Sequence, residues 1–156
     1  SIPELKSTDL NETIREAVDY YRRRLPFEGK GIQLEFAPTQ LPPVDLNPEL
    51  FGWALENLIK NSLQAVDSKT GRVDLKTSPS DRDGWVVVEI TDNGPGIPPR
   101  SSRKIFNAGF TTKKRGWGLG LTLVKRIVEE YHNGRIILRR SKPGETTFEI
   151  QLPVAK

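Results

Sequence analysis

Apolar positions along the chain follow two rhythms, one near 3.6 residues and one of two, and the switches between them lay out the elements. Leu10, Ile14, Ala17, Val18, Tyr21 and Leu25 mark one helical face. Asp9 opens it as an N-cap with Glu12 three positions on, and Pro26 and Gly29 close it. Ile32, Leu34 and Phe36 alternate with Gln33 and Glu35, the pattern of a half-buried strand. Pro38, Pro42 and Pro43 give a stiff connection, and Asn47-Pro48 reads as N-cap and first helical residue. The next helix, residues 48–67, carries Leu50, Ala54, Leu55, Leu58, Ile59, Ser62, Leu63 and Val66, an arc wide enough for burial on most sides. Residues 73–77 and 85–91 read as strands joined by the loop 80–84. A third helix is expected over 119–132 with Asn133-Gly134 as its C-cap, then closing strands 136–140 and 146–152 around Lys142-Pro143-Gly144. Residues 1–8 read as a linker, leaving 9–156 as one domain. Most strands connect as hairpins, which predicts an α+β two-layer sandwich: three helices on one face of a mostly antiparallel sheet.

Composition narrows the chemistry. The 156 residues include no cysteine and a single histidine, His132, which excludes disulfides, thiolate nucleophiles and His-pair metal sites. No apolar run approaches membrane-spanning length and the start does not resemble a signal peptide, so a cytoplasmic domain without membrane contact is expected. The net charge of +4 is modest. Its basic residues gather at Arg22-Arg23-Arg24 and from Arg100 to Arg115, without aromatics alternating with them, which argues for a small anion and against nucleic acid.

The glycine-bracketed stretch 92–120 carries the strongest chemical signal. It begins Asp92-Asn93-Gly94-Pro95-Gly96-Ile97 and ends Arg115-Gly116-Trp117-Gly118-Leu119-Gly120-Leu121. The second cluster runs into a helix, whose N-terminal N–H groups and dipole suit phosphate. Asp92 ends an apolar strand; facing the core it needs a donor such as adenine's exocyclic amine, whereas guanine would offer an acceptor. A plain Asp-Asn-Gly turn is the alternative. Asn57 and Asn61, four apart, emerge on one helix face and face either a ligand or neighbouring loops. A neutral amide oxygen would hold Mg²⁺ only where phosphates and waters complete the octahedron. Dinucleotide, P-loop and protein-kinase glycine patterns are all absent.

Taken in order, Glu56-Asn57-Leu58-Ile59-Lys60-Asn61, Asp92 to Ile97, Ile105-Phe106-Asn107-Ala108-Gly109-Phe110-Thr111-Thr112-Lys113 and Gly116 to Gly120 resemble the N, G1, F and G2 boxes of sensor histidine kinases. These belong to the Bergerat-fold ATPases, with gyrase and the heat-shock and mismatch-repair ATPases. The resemblance implies ATP and Mg²⁺ as cofactors, with Asn61 on the metal assisted by Asn57, the pair forming the catalytic centre. It implies Asp92 on the adenine amine, Gly94, Gly96 and Ile97 along the base, and Thr146 or Thr147 assisting. Phosphates would meet Lys60, Thr112, Lys113, Arg115 and the turn Gly116, Gly118, Leu119, Gly120 and Leu121, under a mobile lid anchored by Phe106 and Phe110.

Two departures stand out. Gyrase-type relatives carry a glutamate base where this chain has Asn57, and Glu56, one residue round the helix, should point away, so efficient hydrolysis is not expected. Trp117 replaces a small residue between glycines and is expected to pack on the lid hinge. His132, near a helix C-terminus where a cationic ring is favoured by the dipole, is not expected to be the phosphoacceptor. The implied partners are an upstream dimerisation and phosphoacceptor domain, to which residues 1–8 would lead, and a response regulator receiver domain. The isolated domain is expected to be monomeric, and its parent a homodimer compatible with membrane anchoring. A self-sufficient Bergerat-fold ATPase, an anti-sigma-type serine kinase and a regulatory module without activity are the alternatives.

Overall fold

The computed structural model describes residues 3–107 and 117–156, and of residues 117–119 the backbone alone. Three long helices, α1 (Leu10–Arg24), α2 (Pro48–Ala65) and α4 (Trp117–Arg126), form one layer. The other is a five-stranded sheet of β2 (Gln33–Ala37), β4 (Arg72–Pro79), β5 (Trp85–Asp92), β7 (Glu145–Pro153) and β6 (Arg135–Lys142), in that spatial order. Only β2 and β4 run parallel; β4–β5, β5–β7 and β6–β7 are antiparallel. The expected sandwich is therefore present. Among the described residues no helix is long and apolar enough to cross a membrane.

Local chemistry explains the boundaries. Asp9 caps α1 by accepting from Glu12 N at 3.3 Å, and Asn47 caps α2 by accepting from Leu50 N at 3.0 Å ahead of Pro48. Past α1 the chain makes the short 3₁₀ turn Pro26–Glu28, and Gly29 leaves it at φ +70°. In β5, Val86, Val88, Ile90 and Asp92 face the helices while Val87, Glu89 and Thr91 face away. That period of two sorts the sheet into rows. The row Phe36, Leu75, Ile90, Phe148, Leu138 is apolar across all five strands. The row beside it starts apolar with Leu34 and Val73, then turns polar at Asp92, Thr146 and Ser141. The outer face carries ion pairs such as Lys76–Glu89 and Arg139–Glu149, each at 3.4 Å.

Three departures from the sequence reading have physical causes. Residues 6–8, read as linker, form β1 (Lys6–Thr8), which pairs antiparallel with β3 (Val44–Leu46) in the stretch read as a stiff connection. Such short strands have too few residues to show alternation, and β3 is recognisable only from the complete burial of Val44 and Leu46. A short helix, α3 (Pro99–Ser102), follows the Gly-Pro-Gly turn, with Pro99 at its first position. The third helix changes character: beyond α4 the chain winds as a π-helical turn, Ile127–Tyr131, before Asn133 at φ 57° and the bond from Gly134 N to Val128 O.

Candidate functional site

The polar end of the Asp92 row lies under the C-terminal half of α2, and a cavity of about 410 Å³ separates them. That volume falls in the range of small-molecule sites. Asp92 and Thr146 come from the sheet, Asn61, Ser62, Gln64 and Ala65 from the helix, and Pro95, Gly96, Ile97, Pro98, Arg100 and Ser101 from the loop and α3. Phe148 forms part of the apolar floor.

Asp92 is 5% exposed and its Oδ1 accepts from Gly94 N at 2.9 Å. The bond folds the loop back over the strand end. A Cβ on Gly94 would stand 2.9 Å from that same oxygen and 3.0 Å from Ala65 O, so loop and helix meet without room for a side chain. Gly96 sits at φ +84°, left-handed backbone that glycine adopts freely. Ile97 is half-buried along the cavity.

Asn61 reaches the cavity from α2. Its Nδ2 is buried and has no hydrogen-bond partner among the described residues. Leaving such an amide unmatched costs about 1–3 kcal/mol, so the site is built for something to meet it. One turn back, Asn57 Nδ2 donates to Trp53 O at 2.8 Å, which directs Oδ1 outward. That oxygen lies 3.5 Å from where a Cβ of Gly120 would stand, so Asn57 abuts the first turn of α4. Position along α2 thus translates into position in the site. Ala65 meets the Asp92 loop, Asn61 the middle, and Asn57 the N-terminal turn of α4.

Phe106 packs edge-on against Phe148, ring centroids 6.1 Å apart, and its carbonyl accepts from Thr122 Oγ1 at 3.0 Å. It therefore ties the α3 side of the site to α4. Phe110, Thr112, Lys113, Arg115 and Gly116 lie outside the described residues, as does the Trp117 side chain. Gly118 and Leu119 fall within the first turn of α4.

Several expected site residues are placed elsewhere. Thr147 pairs with Thr91 in register and shares its hydroxyl bond at 2.8 Å on the outer face, so only Thr146 joins Asp92. Leu121, 1% exposed, is core beneath α4 rather than cavity wall. Lys60 is solvent-exposed and does not line the cavity. Glu56 points away as expected, into a groove with Thr13, Glu16 and Tyr20. Burial and then the Glu56 charge push the neighbouring Tyr21 hydroxyl up to about 12. Gln64, Ala65, Ser101 and Phe148 were not singled out from the sequence, and Arg100 stood out there only as part of the basic cluster. The first two lie three and four residues beyond Asn61 and Phe148 two beyond Thr146, so the helical and strand periods already pointed to them.

His132 overturns the expectation of a cationic ring. It is 1% exposed, its Nδ1 bonds Ile127 O at 2.8 Å, and its Nε2 accepts from Asn47 N at 3.1 Å. Those partners fix the neutral tautomer with hydrogen on Nδ1. Burial is the largest cause, lowering its pKa from the ordinary 6.5, with the bond to Ile127 O opposing. Desolvating an ion costs several kcal/mol, more than the ~2 kcal/mol a helix dipole returns at best.

Comparison with known proteins places this geometry. Residues 47–156 match the family described as histidine kinase-, DNA gyrase B-, and HSP90-like ATPases. The chain belongs to that family. The sensor histidine kinase ZraS of Salmonella typhimurium is 33% identical over 152 residues, covering 96% of this chain and 31% of ZraS. The chain thus spans about a third of that curated relative. The catalytic domain of histidine kinase ThkA, nucleotide-free, superposes with a TM-score of 0.83 at 28% identity, over 96% of this chain and 95% of that one. ThkA in complex with the response regulator protein TrrA gives 0.79 at 26%, covering 97% and 42%. Full-length ShkA in complex with AMPPNP gives 0.84 at 25%, covering 99% and 32%. The fold is that of a histidine kinase catalytic domain.

Proposed function

We propose that this domain binds Mg²⁺-ATP and presents the γ-phosphate to a histidine on a separate dimerisation domain. The observation that carries the reading is the pairing of Asp92, from the sheet, with Asn61, from α2, in one cavity. Adenine fits the Asp92 end, where a buried carboxylate beside Thr146 accepts from the exocyclic amine. Guanine would bring an oxygen against that acceptor. The Gly94–Ile97 backbone then forms the wall along the base.

The triphosphate would run along α2 toward Asn57 and the α4 N-terminus. Magnesium, when bound, would neutralise charge on the phosphates. Asn61 would hold that ion through its amide oxygen, whose lack of charge fits a metal brought in with its nucleotide, while its buried Nδ2, a donor, would meet a phosphate oxygen. This chain's own contribution is positioning. Asn57, fixed by Trp53 O, cannot accept a proton from water, and Glu56 faces a different groove. Both features favour transfer to a better nucleophile than water over self-sufficient hydrolysis.

That nucleophile lies outside these residues. The sole histidine is buried with both ring nitrogens engaged. The complex of ThkA with TrrA supports a response regulator as the next phosphoryl acceptor. A parent homodimer, whose dimerisation domain precedes this catalytic domain, completes the proposal.

The test uses the full-length kinase and γ-labelled ATP. Acid-labile, alkali-stable label on a histidine outside residues 1–156 is expected, and His132→Gln should retain it. Label on serine, or steady phosphate release with no labelled protein, would overturn the reading.

A further inference from the structure

Ser141 lies on β6, outside the cavity, yet its hydroxyl engages one residue of the cavity wall twice. It accepts from Ile97 N at 2.6 Å and donates to Ile97 O at 3.0 Å. A hydroxyl has one hydrogen and two lone pairs, so both bonds hold together. We propose that Ser141 is a positioning residue for the nucleotide base, clamping the Gly94–Ile97 backbone against the β6–β7 hairpin. The inference rests on the adenine site proposed above and adds to it the residue that holds its wall.

Two further contacts show that the loop rests on this hairpin. Gly144 N donates to Gly94 O at 2.8 Å. A Cβ on Gly96 would stand 2.8 Å from both C and O of Lys142, so loop and strand backbones are in direct contact. Both of these involve main chain alone. Ser141 adds two side-chain bonds between loop and hairpin, which a substitution removes without altering the main chain.

Register gives the clamp its relation to the base. Asp92 pairs with Thr146 across β5–β7, and Thr146 with Ser141 across β6–β7. One sheet row therefore carries the carboxylate proposed to read the amine, the threonine beside it and the hydroxyl that fixes the wall. A wall set by the same row as the carboxylate keeps a fixed distance from it, which binding a flat ring between them requires. Without the hydroxyl, the half-buried Ile97 N–H and C=O lose their partner, and the ligand must order the wall as it binds.

The experiment is calorimetric titration of Mg²⁺-ATP into wild type, Ser141→Ala, Ser141→Thr and Ser141→Cys, with a thermal melt of each. Losing a neutral hydrogen-bond pair at a wall predicts affinity weakened about threefold to tenfold in S141A. S141T keeps the hydroxyl and should return to within twofold of wild type. A purely structural serine would lower the melting temperature and leave the affinity of the folded protein unchanged. S141A binding within twofold of wild type, or S141T as weak as S141A, overturns the proposal. If S141A does not fold, S141C, a weak donor and acceptor, carries the same comparison: weakened binding supports the clamp and wild-type affinity overturns it. No binding by wild type at millimolar ATP would instead overturn the adenine site, and this inference with it.

Discussion

Asp92 concentrates base choice in one buried carboxylate, which Gly94 N already orients. Replacing Oδ2 or Oδ1 by an amide removes a charged acceptor, and Asp92→Asn should cost about 1.5–3 kcal/mol of ATP affinity, about tenfold to 150-fold. Calorimetry checks this, and unchanged affinity would remove Asp92 from the base site. At Asn61 the expected loss is different in kind. Asn61→Ala should weaken ATP in the presence of Mg²⁺ and have little effect in its absence, because the amide serves the metal end. Equal weakening under both conditions would assign Asn61 to the base or ribose instead.

Among the elements, β7 makes the sharpest distinction, since its two threonines differ only in which face they occupy. Thr146→Val should weaken ATP about threefold to tenfold, the worth of one neutral hydrogen bond. Thr147→Val should leave it within twofold, because Thr147 bonds Thr91 behind the sheet. The reverse order would mean that the register in the site differs. This is also where the sequence was least able to decide. Thr-Thr gives no hint of phase, and with Asp92 on another strand the phase is set by non-local pairing. Asn57, Asn61 and the Gly-Pro-Gly turn were legible because helical period and backbone freedom are local properties. Ser141 was not, since its role depends on a loop 44 residues away. The β1–β3 pair was missed for a related reason: Lys6-Ser7-Thr8 carries no pattern of its own and is defined by its partner.

For the whole molecule, His132 couples the π-helical turn to the N-terminus of α2 through Asn47. Its lowered pKa makes stability depend on pH. The unfolded chain takes up a proton near 6.5 and the folded one only at lower pH, so this contribution is complete above 6.5 and lost as pH falls. As the chain's sole histidine, it dominates the window between about pH 7 and 5, where ordinary carboxylates stay ionised. The urea midpoint should fall between those pH values in wild type and change less in His132→Gln; equal slopes would contradict a buried neutral ring. The sandwich itself was readable from two hydrophobic rhythms, whereas the burial that keeps His132 neutral emerges only when α2, the π-helical turn and β6 come together.

On this reading, α2 and the sheet hold a Mg²⁺-dependent adenine nucleotide site between them. Titrating this domain with ATP and with GTP, each with Mg²⁺ and with chelator, tests it most directly. Saturable ATP binding that weakens when Mg²⁺ is withdrawn, with GTP binding far more weakly, is the predicted result. No binding at millimolar ATP, or GTP bound as well as ATP, would contradict it.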